Sequence, residues 1–114
     1  NAHATQLGPL VRDLMQRNSY AFSDLDAVAV SEGPGSYTGL RIGTSLAKGI
    51  CYAADLPLIS ISTLRAIAWG SRITLMAGEH IVSMIDARRM EVYCQSFSQS
   101  LVPSSDVEAV IVEA

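Results

Sequence analysis

Apolar residues recur along this chain with two different periods, and the change of period marks its organisation. Over residues 5–17 they fall at Leu7, Leu10, Val11, Leu14 and Met15, the i, i+3, i+4, i+7 spacing of one helix face. Arg12, Asp13, Gln16 and Arg17 take mostly the opposite side. Pro9 is expected in the first turn or at a mild kink, because proline deep in a helix loses a hydrogen bond and clashes with the preceding turn. The pattern should stop near Asn18. Residues 25–31, LDAVAVS, are short, valine-rich and bounded by polar positions, which reads as a buried strand. The helical period returns over Tyr37–Ala54, with Leu40, Gly43, Leu46, Ala47, Ile50 and Ala54 on one face. LISIS at Leu58–Ser62 reads as a second strand, and Ser62 or Thr63 can cap a further helix through LRAIAWG.

Strand, loop, helix, strand, helix is a βαβ unit, for which parallel pairing and a right-handed crossover are expected. Past an irregular stretch the period becomes that of a β-hairpin, HIVSMID and MEVYCQSF about the turn ARR. A switch from βα alternation to a hairpin predicts a second subdomain. The expected class is therefore α/β, with residues 1–70 as a first subdomain, 71–78 as linker and 79–114 as the start of a second. The chain begins with Asn rather than Met, and VEAVIVEA at its end reads as a strand in mid-course. A fragment of a longer protein is expected.

The stretch VSEGPGSYTGLRIG lies between the first strand and the long helix. Free N–H groups and the positive end of a helix favour anions at such a place, so Gly33, Gly35 and Ser36 are candidates for a loop near phosphate. The spacing fits none of the standard versions. Gly33, Gly35 and Gly39 are one residue too long for the dinucleotide fingerprint. No glycine here precedes lysine as a P-loop requires, and Pro34 removes one N–H. Ser36 lacks the flanking glycines of a nucleophile elbow. Gly39, Gly43 and Ala47 instead form an i, i+4, i+8 stripe of small residues on the helix, suited to close approach of another backbone. That backbone belongs either to a partner or to the chain's own sheet. If it belongs to a partner, Gly43→Leu should abolish association and leave a folded monomer.

Composition narrows the function classes. A formal net charge of −3 over 114 residues argues against a generic nucleic-acid binder, which usually shows a basic excess. Arg41 and Lys48, two turns apart on the long helix, can border an acidic partner or a phosphate. Cys51 and Cys94 lie in apolar segments far apart and read as buried thiols in a reducing compartment. No apolar run has the length of a membrane span, so no membrane partner and a cytoplasmic location are expected. His3 and His80 form no metal-binding pair, and no metal or catalytic centre is expected. Asp86 closes a strand before Arg88 and Arg89; it is either a turn-forming aspartate or a vestigial nucleotide or metal contact.

Residues 24–64, DLDAVAVSEGPGSYTGLRIGTSLAKGICYAADLPLISISTL, together with IVSMIDARRMEVYCQSF and HATQLGPLV, resemble the TsaB (YeaZ) family over nearly the whole chain. The resemblance implies an actin-like, ribonuclease-H-like ATPase fold in two subdomains, incomplete here because the family's opening hairpin and later second domain are absent. It implies a non-catalytic partner or scaffold of the TsaD subunit in bacterial synthesis of N6-threonylcarbamoyladenosine at tRNA position 37. The partners implied are a TsaD-like paralogue, a TsaE-like ATPase in the complex, tRNA through that complex, and a second copy of the chain when it is alone. No cofactor is expected on this chain itself, with ATP at the partner interface. The family pairs through two helices of its first domain, which here implies Leu7, Leu10, Val11, Leu14, Gly39, Arg41, Gly43, Leu46, Ala47 and Ile50. The alternatives are a nucleotide-handling enzyme of the same fold and a glycoprotease-like peptidase.

Overall fold

The structure, a computed structural model, describes residues 2–113. Its elements in order are α1 (Ala2–Arg17), a 3₁₀ turn at Phe22–Asp24, β1 (Val28–Gly33), α2 (Tyr37–Ala54), β2 (Leu58–Ser62), α3 (Thr63–Ser71), a 3₁₀ turn at Arg72–Thr74, β3 (Ile81–Arg88), β4 (Glu91–Phe97) and β5 (Glu108–Ile111). The chain divides into two compact units. Among the described residues, one comprises 2–32 and 36–61, the other 33–35 and 62–113.

In the first unit β1 and β2 are hydrogen-bonded neighbours, joined through α2. Pairing starts at Val28, whose N–H donates to Pro57 O at 3.0 Å. The strand therefore begins later than residues 25–31 suggested. Before it, the chain is held in a 3₁₀ turn: the Asp24 carboxylate accepts the Ala21 N–H at 2.8 Å and Phe22 O accepts the Leu25 N–H. Pro9 also corrects the sequence reading, because α1 starts at Ala2 and places the proline mid-helix. Helix α2 has clear ends. Ser36 Oγ accepts the Gly39 N–H at its start, and Asp55 closes it in the left-handed region, φ 54°, with its N–H on Cys51 O. Aspartate tolerates that conformation better than most residues.

In the second unit β3, β4 and β5 form an antiparallel sheet in that order. Ile81 pairs with Phe97 and Ile85 with Tyr93, and the register slips between Asp86 and Arg88. Helix α3 is capped by Ser62, whose Oγ accepts the Arg65 N–H at 3.3 Å. It packs Leu64 and Ala68 onto Phe97 and Leu101, with Ile81 and Ile85 beside them. Leu64 and Ala68 are fully buried, one turn apart on the same face, as the helical period requires. Ser83 lies buried in β3, and its Oγ has no hydrogen-bond partner among the described residues.

The core makes two opposite expectations in the full-length protein. Leu64→Ala should lower unfolding free energy by about 2–5 kcal/mol, through lost burial and the cavity left behind. Ser83→Ala should be neutral or stabilising, because it removes a buried hydroxyl that has no partner. Urea denaturation of both variants checks the pair.

Candidate functional site

The two helices of the first unit pack on each other and leave a groove between them. Helix α2 is seated by its small residues. A Cβ placed on Gly43 would lie 3.9 Å from Val30 Cγ2 on β1. One turn on, Ala47 is only 5% exposed, and one further turn on, Cys51 is buried with its thiol directed at Pro57 O. Gly39 sits over its own cap, 3.5 Å from Ser36 Oγ to a built Cβ. Of the small-residue stripe, Gly43 and Ala47 are thus turned inward, while Gly39 is exposed. Of the two directions left open by the sequence, Gly43 and Ala47 take the one toward the chain's own sheet. Gly43 is half-buried and Ala47 buried, so neither adds side-chain surface to the exposed part of the helix pair.

With that edge of α2 inward, Tyr37, Arg41, Ile42 and Leu46 face α1. They line a groove of about 530 Å³ together with Leu7 and Pro9. A smaller recess of about 250 Å³ continues over Leu10, Gly39 and Ile42. Leu10 and Leu14 on α1 are each 61% exposed, while Val11 is half-buried. Ile50 and Leu46 line a further hollow with Phe22. The Arg41 guanidinium stands over the Tyr37 ring at 5.4 Å, a cation–π contact worth about 0.5–1 kcal/mol at an exposed site. It sets a cation in the lining of a mostly apolar groove that also carries Thr38 and Ser45, a contact that sequence spacing signals only as an i, i+4 Tyr–Arg pair. Lys48 is exposed on the same helix. The one ion pair among the described residues is Arg17 to Asp13 at 2.7 Å, an exposed i, i+4 pair of small worth.

The glycine-loop residues have distinct local roles. Gly33 is buried at φ 105°, where an L side chain would be strained. Nothing lies within contact of a Cβ built on Gly35. Ser36 directs its hydroxyl at the Gly39 N–H at 3.2 Å and serves as the helix cap. In the second unit Asp86 Oδ1 accepts the Arg88 N–H at 2.7 Å, the turn-forming role. His80 Nδ1 lies 3.1 Å from Ser104 Oγ, and the side chain of His3 is outside the described residues. Two features had little sequence signal. The Arg72 guanidinium stacks 3.4 Å above the Trp69 ring, and Arg88, Arg89 and Met90 all take positive φ.

Comparison with known proteins then supplies the family context. The sequence profile of the family described as TsaD, tRNA N6-adenosine threonylcarbamoyltransferase, matches residues 1–111. The chain is 39% identical over 97 residues to the tRNA threonylcarbamoyladenosine biosynthesis protein TsaB of Haemophilus influenzae, covering 85% of this chain and 39% of that protein. It is 42% identical over 72 residues to a tRNA N6-adenosine threonylcarbamoyltransferase of Erythrobacter litoralis, covering 63% of this chain and 21% of that one. Its structure superposes on YeaZ from Pseudomonas aeruginosa with a TM-score of 0.78 at 30% identity, covering 96% of this chain and 53% of the other. The fold is thus the α/β, actin-like and ribonuclease-H-like one. The chain spans roughly two fifths of the length of the TsaB relatives it matches.

The inward stripe makes its own prediction. Gly43→Ala adds a methyl at ordinary contact distance from Val30 and should stabilise the full-length protein by up to about 1 kcal/mol, the helix-propensity difference. Gly43→Leu should destabilise it by about 1–3 kcal/mol by overpacking against the strand. Thermal unfolding of the two variants separates this from an outward-facing Gly43, at which leucine would raise the melting temperature through its better helix propensity.

Proposed function

The chain belongs to the TsaD family, on its TsaB (YeaZ) branch, and from that premise we propose that it works as the non-catalytic partner of a TsaD-type subunit. The work of the pair is synthesis of N6-threonylcarbamoyladenosine at tRNA position 37, and the docking surface is the α1–α2 face. The observation that carries this reading is the groove over Leu7, Tyr37, Arg41, Ile42 and Leu46, flanked by the exposed Leu10 and Leu14. Covering a leucine side chain that stands in water contributes about 1.5–3 kcal/mol. A mostly apolar groove with a cation in its lining suits a helical partner that brings apolar side chains and a carboxylate. The relatives support the TsaB side of the pair, because the match to the TsaB protein covers more of this chain than the match to the transferase.

The remaining components follow from the same reading. A TsaE-like ATPase joins the assembly, ATP binds at the interface of the subunits rather than on this chain alone, and tRNA is reached through the complex in the cytoplasm. Without its partner the protein pairs with a second copy of itself through the same face.

Calorimetric titration of the full-length protein with its organism's TsaD-like subunit, with and without ATP, tests the reading. One-to-one binding is expected. Leu10→Asp and Leu14→Asp should each weaken it at least about tenfold, or 1.4 kcal/mol, with an unchanged melting temperature because both side chains are exposed. Absence of binding, or equal binding by both variants, would overturn the proposal.

A further inference from the structure

The turn between β3 and β4 holds chemistry that the helix face does not use. Arg88, Arg89 and Met90 take three successive left-handed conformations, φ 66°, 53° and 61°. Glycine and asparagine enter that region most readily, yet two arginines and a methionine occupy it. Strain of this kind clusters where a ligand is gripped. Arg88–Arg89 is also the single place in the sequence where two cations are adjacent.

The main chain of the turn is fastened at both ends. Asp86 Oδ1 accepts the Arg88 N–H at 2.7 Å, and Met90 O accepts the Val112 N–H at 2.7 Å. Both fastenings hold the main chain of the turn, one of them through the Asp86 carboxylate, and leave the guanidinium groups unengaged. Arg88 and Arg89 are exposed, and neither has an ion pair or a side-chain hydrogen bond among the described residues. Of the neighbouring carboxylates, Asp86 bonds the turn's main chain, and the half-buried Glu91 stands opposite Arg88 in strand register. A recess of about 540 Å³ adjoins the turn, with Met84 and Met90 as exposed apolar walls and Val92 and Val112 beside them.

We propose that this turn contacts the phosphate backbone of RNA, with Arg88 and Arg89 each taking one phosphate and the two methionines meeting the sugar or base between. The planar guanidinium donates in a fork that matches phosphate oxygens. A turn already fixed by its backbone bonds gives up little freedom on binding. The choice of RNA rests on the reading of the preceding subsection; the two free arginines on a fixed turn do not.

The test titrates a tRNA transcript against the full-length protein, alone and assembled with its TsaD-type subunit, over a series of salt concentrations. The double variant Arg88→Ala, Arg89→Ala is compared with Arg88→Lys, Arg89→Lys. In either preparation the alanine pair should flatten the slope of log affinity against log salt by about one unit per arginine. The lysine pair should keep most of the slope, and both should melt as the parent does. An unchanged slope for the alanine pair, or a parent that binds no tRNA in either preparation, overturns the proposal. So does an alanine pair that loses affinity for ATP and none for tRNA, which would make the turn a nucleotide site. Failure to assemble with the TsaD-type subunit, with the slope still altered in the protein alone, removes the earlier reading and leaves this one standing.

Discussion

The first unit depends on how closely α2 can approach β1. The contact is made where α2 has least side chain, at Gly43 over Val30 and at the buried Ala47. Glycine in a helix interior costs about 1 kcal/mol against alanine, and burial of the flanking apolar edge offsets it. Everything on the rest of the helix follows from that seating. With the small residues inward, the 3.6-residue period turns Ile42 and Leu46 toward α1, and Arg41 onto the ring of Tyr37. The groove is a consequence of the seat.

In the second unit the same economy appears with different residues. Helix α3 meets its sheet through Leu64 and Ala68, a large and a small side chain one turn apart. Phe97 and Leu101 close the contact from β4 and the segment after it. Leu101 is held at φ 62° while 95% of its surface is covered, at 5% exposed. A left-handed leucine is unfavourable by itself, and burial of the whole side chain, worth about 1.5–3 kcal/mol, compensates. Ser83 occupies the same interior with a hydroxyl that packs without pairing.

Periodicity made the helices and the hairpin legible. Tyr37–Ala54, Leu58–Ser62 and the helix capped by Ser62 stand where the apolar spacing and the serine caps put them. The misses have physical causes. LDAVAVS carries apolar Leu25 and Ala27 before Val28 as well as Val28–Val30 after them, and the start of the strand is set by which N–H finds a partner, a non-local matter. Pro9 reads as a helix-start residue, but α1 accommodates it mid-helix, with the helix beginning at Ala2. The direction of the Gly39, Gly43 and Ala47 stripe was undecidable from spacing, since a small-residue stripe serves an internal and an external neighbour alike. Positive φ at Arg88, Arg89 and Met90 was invisible because nothing in their side chains favours it. Asp86 was the nearest hint, as a residue that bonds the backbone two positions on.

Charge separates the two surfaces better than shape does. The chain is acidic overall at −3, so neither face draws a partner by net charge, and each must act through local arrangement. On the helix pair a cation rests on an aromatic ring beside a mostly apolar groove, where a partner that covers leucine surface would respond weakly to salt. On the hairpin turn two unpaired guanidinium groups stand in water, where binding is governed by counterion release and responds strongly to salt. The two surfaces lie in different units of the chain. Ionic strength is therefore the variable that tells them apart: a partner held by the helices persists as salt rises, and a ligand held by the turn does not.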